Sequence, residues 1–90
     1  MIENKINIIL NYLKVGNFEY VIRETVKLSI KNPNNSYLKN LLGLAYLETG
    51  QKTQAIENFI LAIKLNSKNI SALNNLGNAY KYLNKYEDAE

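Results

Sequence analysis

The chain has 90 residues, 47% of them apolar and 21% charged, which suits one small folded domain and argues against intrinsic disorder. Cysteine and histidine are both absent, which excludes disulfides, thiolate chemistry, the commonest metal ligand and the usual neutral-pH general base together. Eleven basic residues against eight acidic ones leave a net charge of +3, and they are spread from Lys5 to Lys85 rather than gathered into the patch that a nucleic-acid binder shows.

Ile2, Ile6, Ile9, Leu10 and Leu13 recur at helical spacing and predict a helix over 2–14. Gly16 stands where that helix must stop, because a left-handed residue commonly closes a helix and glycine adopts that conformation at little cost. Asn17 can cap a second helix over 18–31, with Phe18, Val21, Ile22, Thr25 and Val26 on its apolar stripe. Pro33, within a loop-forming stretch over 32–36, ends it. Leu38, Leu41, Leu42, Ala45 and Tyr46 predict a third helix over 36–49, and Gly50 ends that one. Ala55, Ile56, Phe59, Ile60, Ala62 and Ile63 give a fourth over 52–65. Asn69 can cap a fifth over 70–83, built on Leu73, Leu76, Tyr80 and Leu83, with Asn84 as its stop and a new helical start at 86–90. The fold class expected is all-α.

No apolar run approaches the roughly 20 residues of a membrane span, and Met1–Asn7 lacks the apolar core of a signal peptide. A cytoplasmic location without membrane association is therefore expected.

The elements are not independent. With a 34-residue offset the sequence coincides with itself at roughly a quarter of the paired positions, well above chance. Tyr12, Tyr46 and Tyr80 form one series, and Gly16, Gly50 and Asn84 another. Asn40-x-Leu42-Gly43-x-Ala45-Tyr46 returns as Asn74-x-Leu76-Gly77-x-Ala79-Tyr80. Three units follow within a single domain over 1–90: a degenerate one at 2–35, a complete one at 36–69 and a truncated one at 70–90.

A 34-residue helix–turn–helix unit reading Leu42-Gly43, Tyr46, Gly50, Ala55, Phe59 and Ala62 resembles the tetratricopeptide repeat, with about two and a half repeats. The resemblance implies helical hairpins stacked as an α-solenoid. Gly43 and Ala55 are small where the paired helices approach closely, and Phe59 fills the remaining space. Unit one departs from this pattern. Ile9, Val21 and Leu28 replace small residues, Thr25 replaces the aromatic, and the first hairpin is expected to be splayed. Lys5 and Lys39 occupy a slot that usually holds a large aromatic, and Ser67 replaces the closing proline.

No carboxylate pair flanks a nucleophile and no glycine-rich phosphate loop is present, so neither enzyme activity, catalytic residues, a metal, a cofactor nor a small-molecule substrate is expected. The resemblance implies instead a protein-interaction adaptor, or scaffold, that binds a peptide or helix of a partner on a concave face. Transferred residue by residue, that face comprises Ile6, Leu10 and Leu13 in unit one, Tyr37, Asn40, Leu44 and Leu47 in unit two, and Asn74, Asn78, Lys81 and Tyr82 in unit three. Asn40, Asn74, Asn75 and Asn78 could form an amide row that pairs with a partner's backbone, but asparagine occurs 15 times in the chain and such a row carries little weight on its own. Two alternatives stand beside the adaptor. One is self-assembly as a homo-oligomer through the uncapped C-terminal helix; the other is an RNA-binding helical repeat. Chaperone-tail binding is disfavoured, since Ile6 and Leu10 stand where the resemblance would need Lys and Asn.

Overall fold

A computed structural model describes the backbone of residues 1–88 and the side chains of residues 1–83. Five helices follow one another: α1 (Ile2–Lys14), α2 (Phe18–Lys31), α3 (Ser36–Glu48), α4 (Lys52–Leu65) and α5 (Ile70–Asp88). No strand occurs among the described residues. Each helix packs on the next, and α5 also reaches back to α3. The fold is the all-α stack of helical hairpins that the 34-residue period predicts, with an elongated outline of 46 × 29 × 18 Å.

The hairpin turns follow from glycine. Gly16 and Gly50 take φ of 81° and 80°, and no other described residue has positive φ. In each case the glycine N–H donates to the carbonyl three residues back and the next N–H to the carbonyl five residues back. These pairs are Gly16 to Leu13 with Asn17 to Tyr12, and Gly50 to Leu47 with Gln51 to Tyr46. That double closure satisfies carbonyls a helix end would otherwise leave orphaned.

Asn84 behaves differently from its glycine counterparts. The helix expected to stop at 83 continues to Asp88, so no separate helix begins at Tyr86. Asparagine pays a Cβ penalty in the left-handed region that glycine avoids, and the residues after it, Lys85 to Glu87, include good helix formers. The remainder of the expected 86–90 start, at Ala89 and Glu90, lies outside the described residues.

The turns between hairpins are built from asparagine. Asn35 N–H donates to the Asn32 carbonyl at 3.1 Å, and Asn69 N–H donates to the Asn66 carbonyl at 3.1 Å. The second asparagine of each turn then caps the next helix. Asn35 Oδ1 accepts from Leu38 N–H at 3.1 Å, and Asn69 Oδ1 accepts from Ala72 N–H at 3.0 Å. Asn17 caps α2 in the same way, through Tyr20 N–H at 3.3 Å.

Two cores fill the stack. Ile9, Val21, Leu28, Leu38, Leu41 and Ala45 bury together across α1, α2 and α3. Ala55, Phe59 and Ala79 form the second, across α4 and α5, with Leu44 and Leu76 packed against it. Phe59 is wholly buried, and its ring lies over Gly43 so closely that a Cβ there would stand 2.5 Å from two ring carbons. In the first hairpin the bulk is transposed. Ile9 at the glycine position is buried, and Thr25 at the phenylalanine position is buried too. Among the described residues the Thr25 hydroxyl has no hydrogen-bond partner, so it serves there as a small packing group. Of the consecutive helix pairs, α1 and α2 make the least extensive contact.

Candidate functional site

The first helices of the units, α1, α3 and α5, carry the residues expected to meet a partner. Their surroundings divide them. Ile6, Leu10 and Leu13 are half-buried and pack against the first core. Leu44 and Leu47 are half-buried against the second. These five side chains share their surface between the interior and solvent, so the apolar end of the surface is less open than a bare patch.

Tyr37, Asn74, Asn78, Lys81 and Tyr82 are exposed. Asn74, Asn78 and Lys81 are spaced by four and three residues, which aligns them along one face of α5. Tyr82, 53% exposed, is steadied by the Lys52 ammonium, which lies 5.0 Å from its ring centroid. The outward face therefore offers amides, an ammonium and two phenols, groups that donate and accept hydrogen bonds.

Asn40 departs from the expectation. It is only 8% exposed, and both ends of its carboxamide are engaged across the α3–α5 junction. Its Nδ2 donates to Ser71 Oγ at 3.2 Å, and its Oδ1 accepts from Asn75 Nδ2 at 3.0 Å. A buried amide must be satisfied to avoid a cost of about 1–3 kcal/mol, and here neighbouring helices satisfy it. Asn40 and Asn75 are a tie between units, whereas Asn74 and Asn78 face outward. A second tie lies nearby: Ser36 Oγ donates to the Ala62 carbonyl at 2.7 Å and accepts from Asn69 Nδ2 at 2.8 Å. Sequence reasoning found the Asn69 cap but missed this seam. The signal available was the asparagine pairs 32/66 and 35/69, which recur at the repeat offset.

Among the described residues no group of three or more acidic side chains could hold a metal ion. No helix among them is long and apolar enough to cross a membrane. Residues 43–84, from the glycine beneath Phe59 into α5, match the family model described as TPR repeat. Over those residues, a little under half of its length, the chain is similar to the tetratricopeptide repeat. Modules of that kind generally mediate protein–protein interactions and are generally non-catalytic. No curated protein gives a significant match to the chain.

Proposed function

We propose that this chain is a protein-interaction adaptor that binds a peptide or helix of a partner along a concave face made by α1, α3 and α5. The observation that supports it most is the outward row of Asn74, Asn78, Lys81 and Tyr82, standing on a junction already fixed by the Asn40–Ser71–Asn75 bonds. A rigid support lowers the ordering cost of binding, so polar groups set on it recognise a backbone more effectively. Tyr37 and the half-buried Leu44 and Leu47 extend the surface along α3, and Ile6, Leu10 and Leu13 extend it along α1. The cytoplasm is the location we assign to this activity.

The test uses Asn74→Glu and Asn78→Glu, both exposed positions whose replacement leaves the cores intact. A partner captured from the native source by the wild-type chain should lose affinity about tenfold or more for the double variant. Unchanged affinity in a still-folded double variant would move the site elsewhere.

A second reading has its own observation. Among the described residues nothing lies within 4 Å of a Cβ placed at Gly77, the position equivalent to Gly43, and Leu73 and Tyr80 beside it are 46% and 44% exposed. That open face of α5 favours self-association. Sedimentation across a range of concentrations separates the two, since a chain monomeric throughout has no assembly role.

A further inference from the structure

Between α1 and α2, on a side of α1 away from Ile6, Leu10 and Leu13, a cleft of about 180 Å³ opens to solvent. Its floor is aliphatic: Ile8, Ile9 and Leu28. One end is closed by Tyr20, which stacks on Tyr12 with ring centroids 3.8 Å apart and carries the Arg23 guanidinium 5.5 Å from its own centroid. That wall is held from two sides.

The other end is cationic. Lys5 lies seven residues before Tyr12 on α1, and Lys27 and Lys31 lie seven and eleven residues after Tyr20 on the antiparallel α2. At 1.5 Å per residue, all three lysines stand roughly 10 Å or more from the stacked tyrosines, around the same mouth. Glu24 is the one carboxylate lining the cleft, and its Oε2 is already engaged by Arg23 at 3.2 Å and Lys27 at 3.3 Å. Hydrogen bonds from those two cations hold its carboxyl below the ordinary value. Lys5 and Lys31 take part in no ion pair among the described residues. The rim is left with positive charge that the protein itself does not neutralise.

Size decides what kind of group would enter. Sites for drug-sized ligands run to about 300–1,000 Å³, whereas a cavity near 150 Å³ accommodates one benzene ring. Ile8, 48% exposed on its floor, corresponds in the repeat to Leu42, which is buried where α2 covers α3.

We propose that this cleft seats a single aromatic side chain from an acidic segment of a partner protein, with the flanking carboxylates of that segment held by Lys5, Lys27 and Lys31. Such a site is separate from the α5 row and does not depend on it. An aromatic anchor in a pocket, ringed by charges of opposite sign, is the arrangement that concentrates binding energy in few residues and steers encounter.

The probe is a fluorescein-labelled peptide, Gly-Glu-Asp-Phe-Glu-Asp-Gly, titrated with the full chain by fluorescence anisotropy. On adding the peptide, shift changes of the protein's backbone amides should centre on α1 and α2. Replacing its Phe by Ala, or Lys31 of the protein by Glu, should weaken binding about tenfold. Lys5→Trp fills the cleft from within and should weaken binding similarly without lowering the melting temperature. Raising salt should weaken the wild-type complex, and Asn78→Glu should leave it unchanged. Binding that persists in both Lys5→Trp and Lys31→Glu overturns the proposal, as does shift mapping to α5 or absence of binding at millimolar peptide. Self-association that Lys31→Glu abolishes, with no peptide binding, would likewise overturn it and give the cleft to a second copy.

Discussion

Two glycines at equivalent positions carry different constraints. Gly43 is buried under the Phe59 ring, with no room for a Cβ, whereas no described residue stands within 4 Å of a Cβ at Gly77. Alanine at 43 forces the ring or the helix to shift, at about 1–3 kcal/mol, against a helix-propensity gain of up to ~1 kcal/mol. Alanine at 77 meets no obstacle and keeps the propensity gain. Urea denaturation should therefore show Gly43→Ala destabilised and Gly77→Ala unchanged or more stable. Equal losses at both positions would mean that a helix packs over Gly77 as α4 packs over Gly43. Thr25 and Ile9 show the same principle with the sizes reversed: bulk moves from α2 to α1, and both positions stay buried.

At the level of the element, the helices are defined by their ends as much as by their apolar stripes. Asn69 caps α5 and also donates to Ser36 on α3, while Asn17 caps α2 alone. Asn69→Ala should cost about 1–2 kcal/mol, from a lost cap and a lost cross-unit bond. Asn17→Ala should cost nearer about 0.5 kcal/mol, because its cap bond is long and exposed. Urea melts of the two variants check the difference, and equal losses would show that the Ser36 bond contributes nothing. These ends were largely legible in the sequence. Gly16, Gly50, Asn17 and Asn69 announce their roles by residue type and position, because local backbone geometry alone decides them. Asn84 misled, since asparagine permits the left-handed turn without demanding it, and α5 runs on to Asp88. The Asn40 pairings were not legible, because Ser71 and Asn75 lie 31 and 35 residues away and only the stacking of α3 on α5 brings them together. For the same reason the half-burial of Ile6, Leu10, Leu13, Leu44 and Leu47 could not be read from helical spacing, which gives a face but not its neighbours.

For the molecule as a whole, shape follows from one-dimensional stacking. The chain exposes 6017 Å², more than the roughly 5,400 Å² expected of a compact protein of this size. The excess belongs to a stack whose terminal helices have fewer neighbours than its middle ones. In such arrays each unit is stabilised by its neighbours, so protection should fall from the centre outward. The α3–α4 contact is the most extensive in the molecule, and the α1–α2 contact is less so. Native-state hydrogen exchange should find the amides of α3 and α4 slowest, with those of α1 faster by about tenfold or more. Uniform protection across all five helices would instead indicate a single cooperative globule.

Beside the apolar core, the amides of Asn40, Asn69 and Asn75 bridge the second and third units. Asparagine is among the side chains that heat degrades chemically, and loss of its amide nitrogen leaves a carboxylate that only accepts. Converted in that way, position 75 would turn a donor aimed at the Asn40 oxygen into an anion facing it, and position 69 would lose its hold on Ser36. Conversion at either position would loosen the contact of α5 with α3, while the apolar packing of α5 on α4 would still hold the third unit in place.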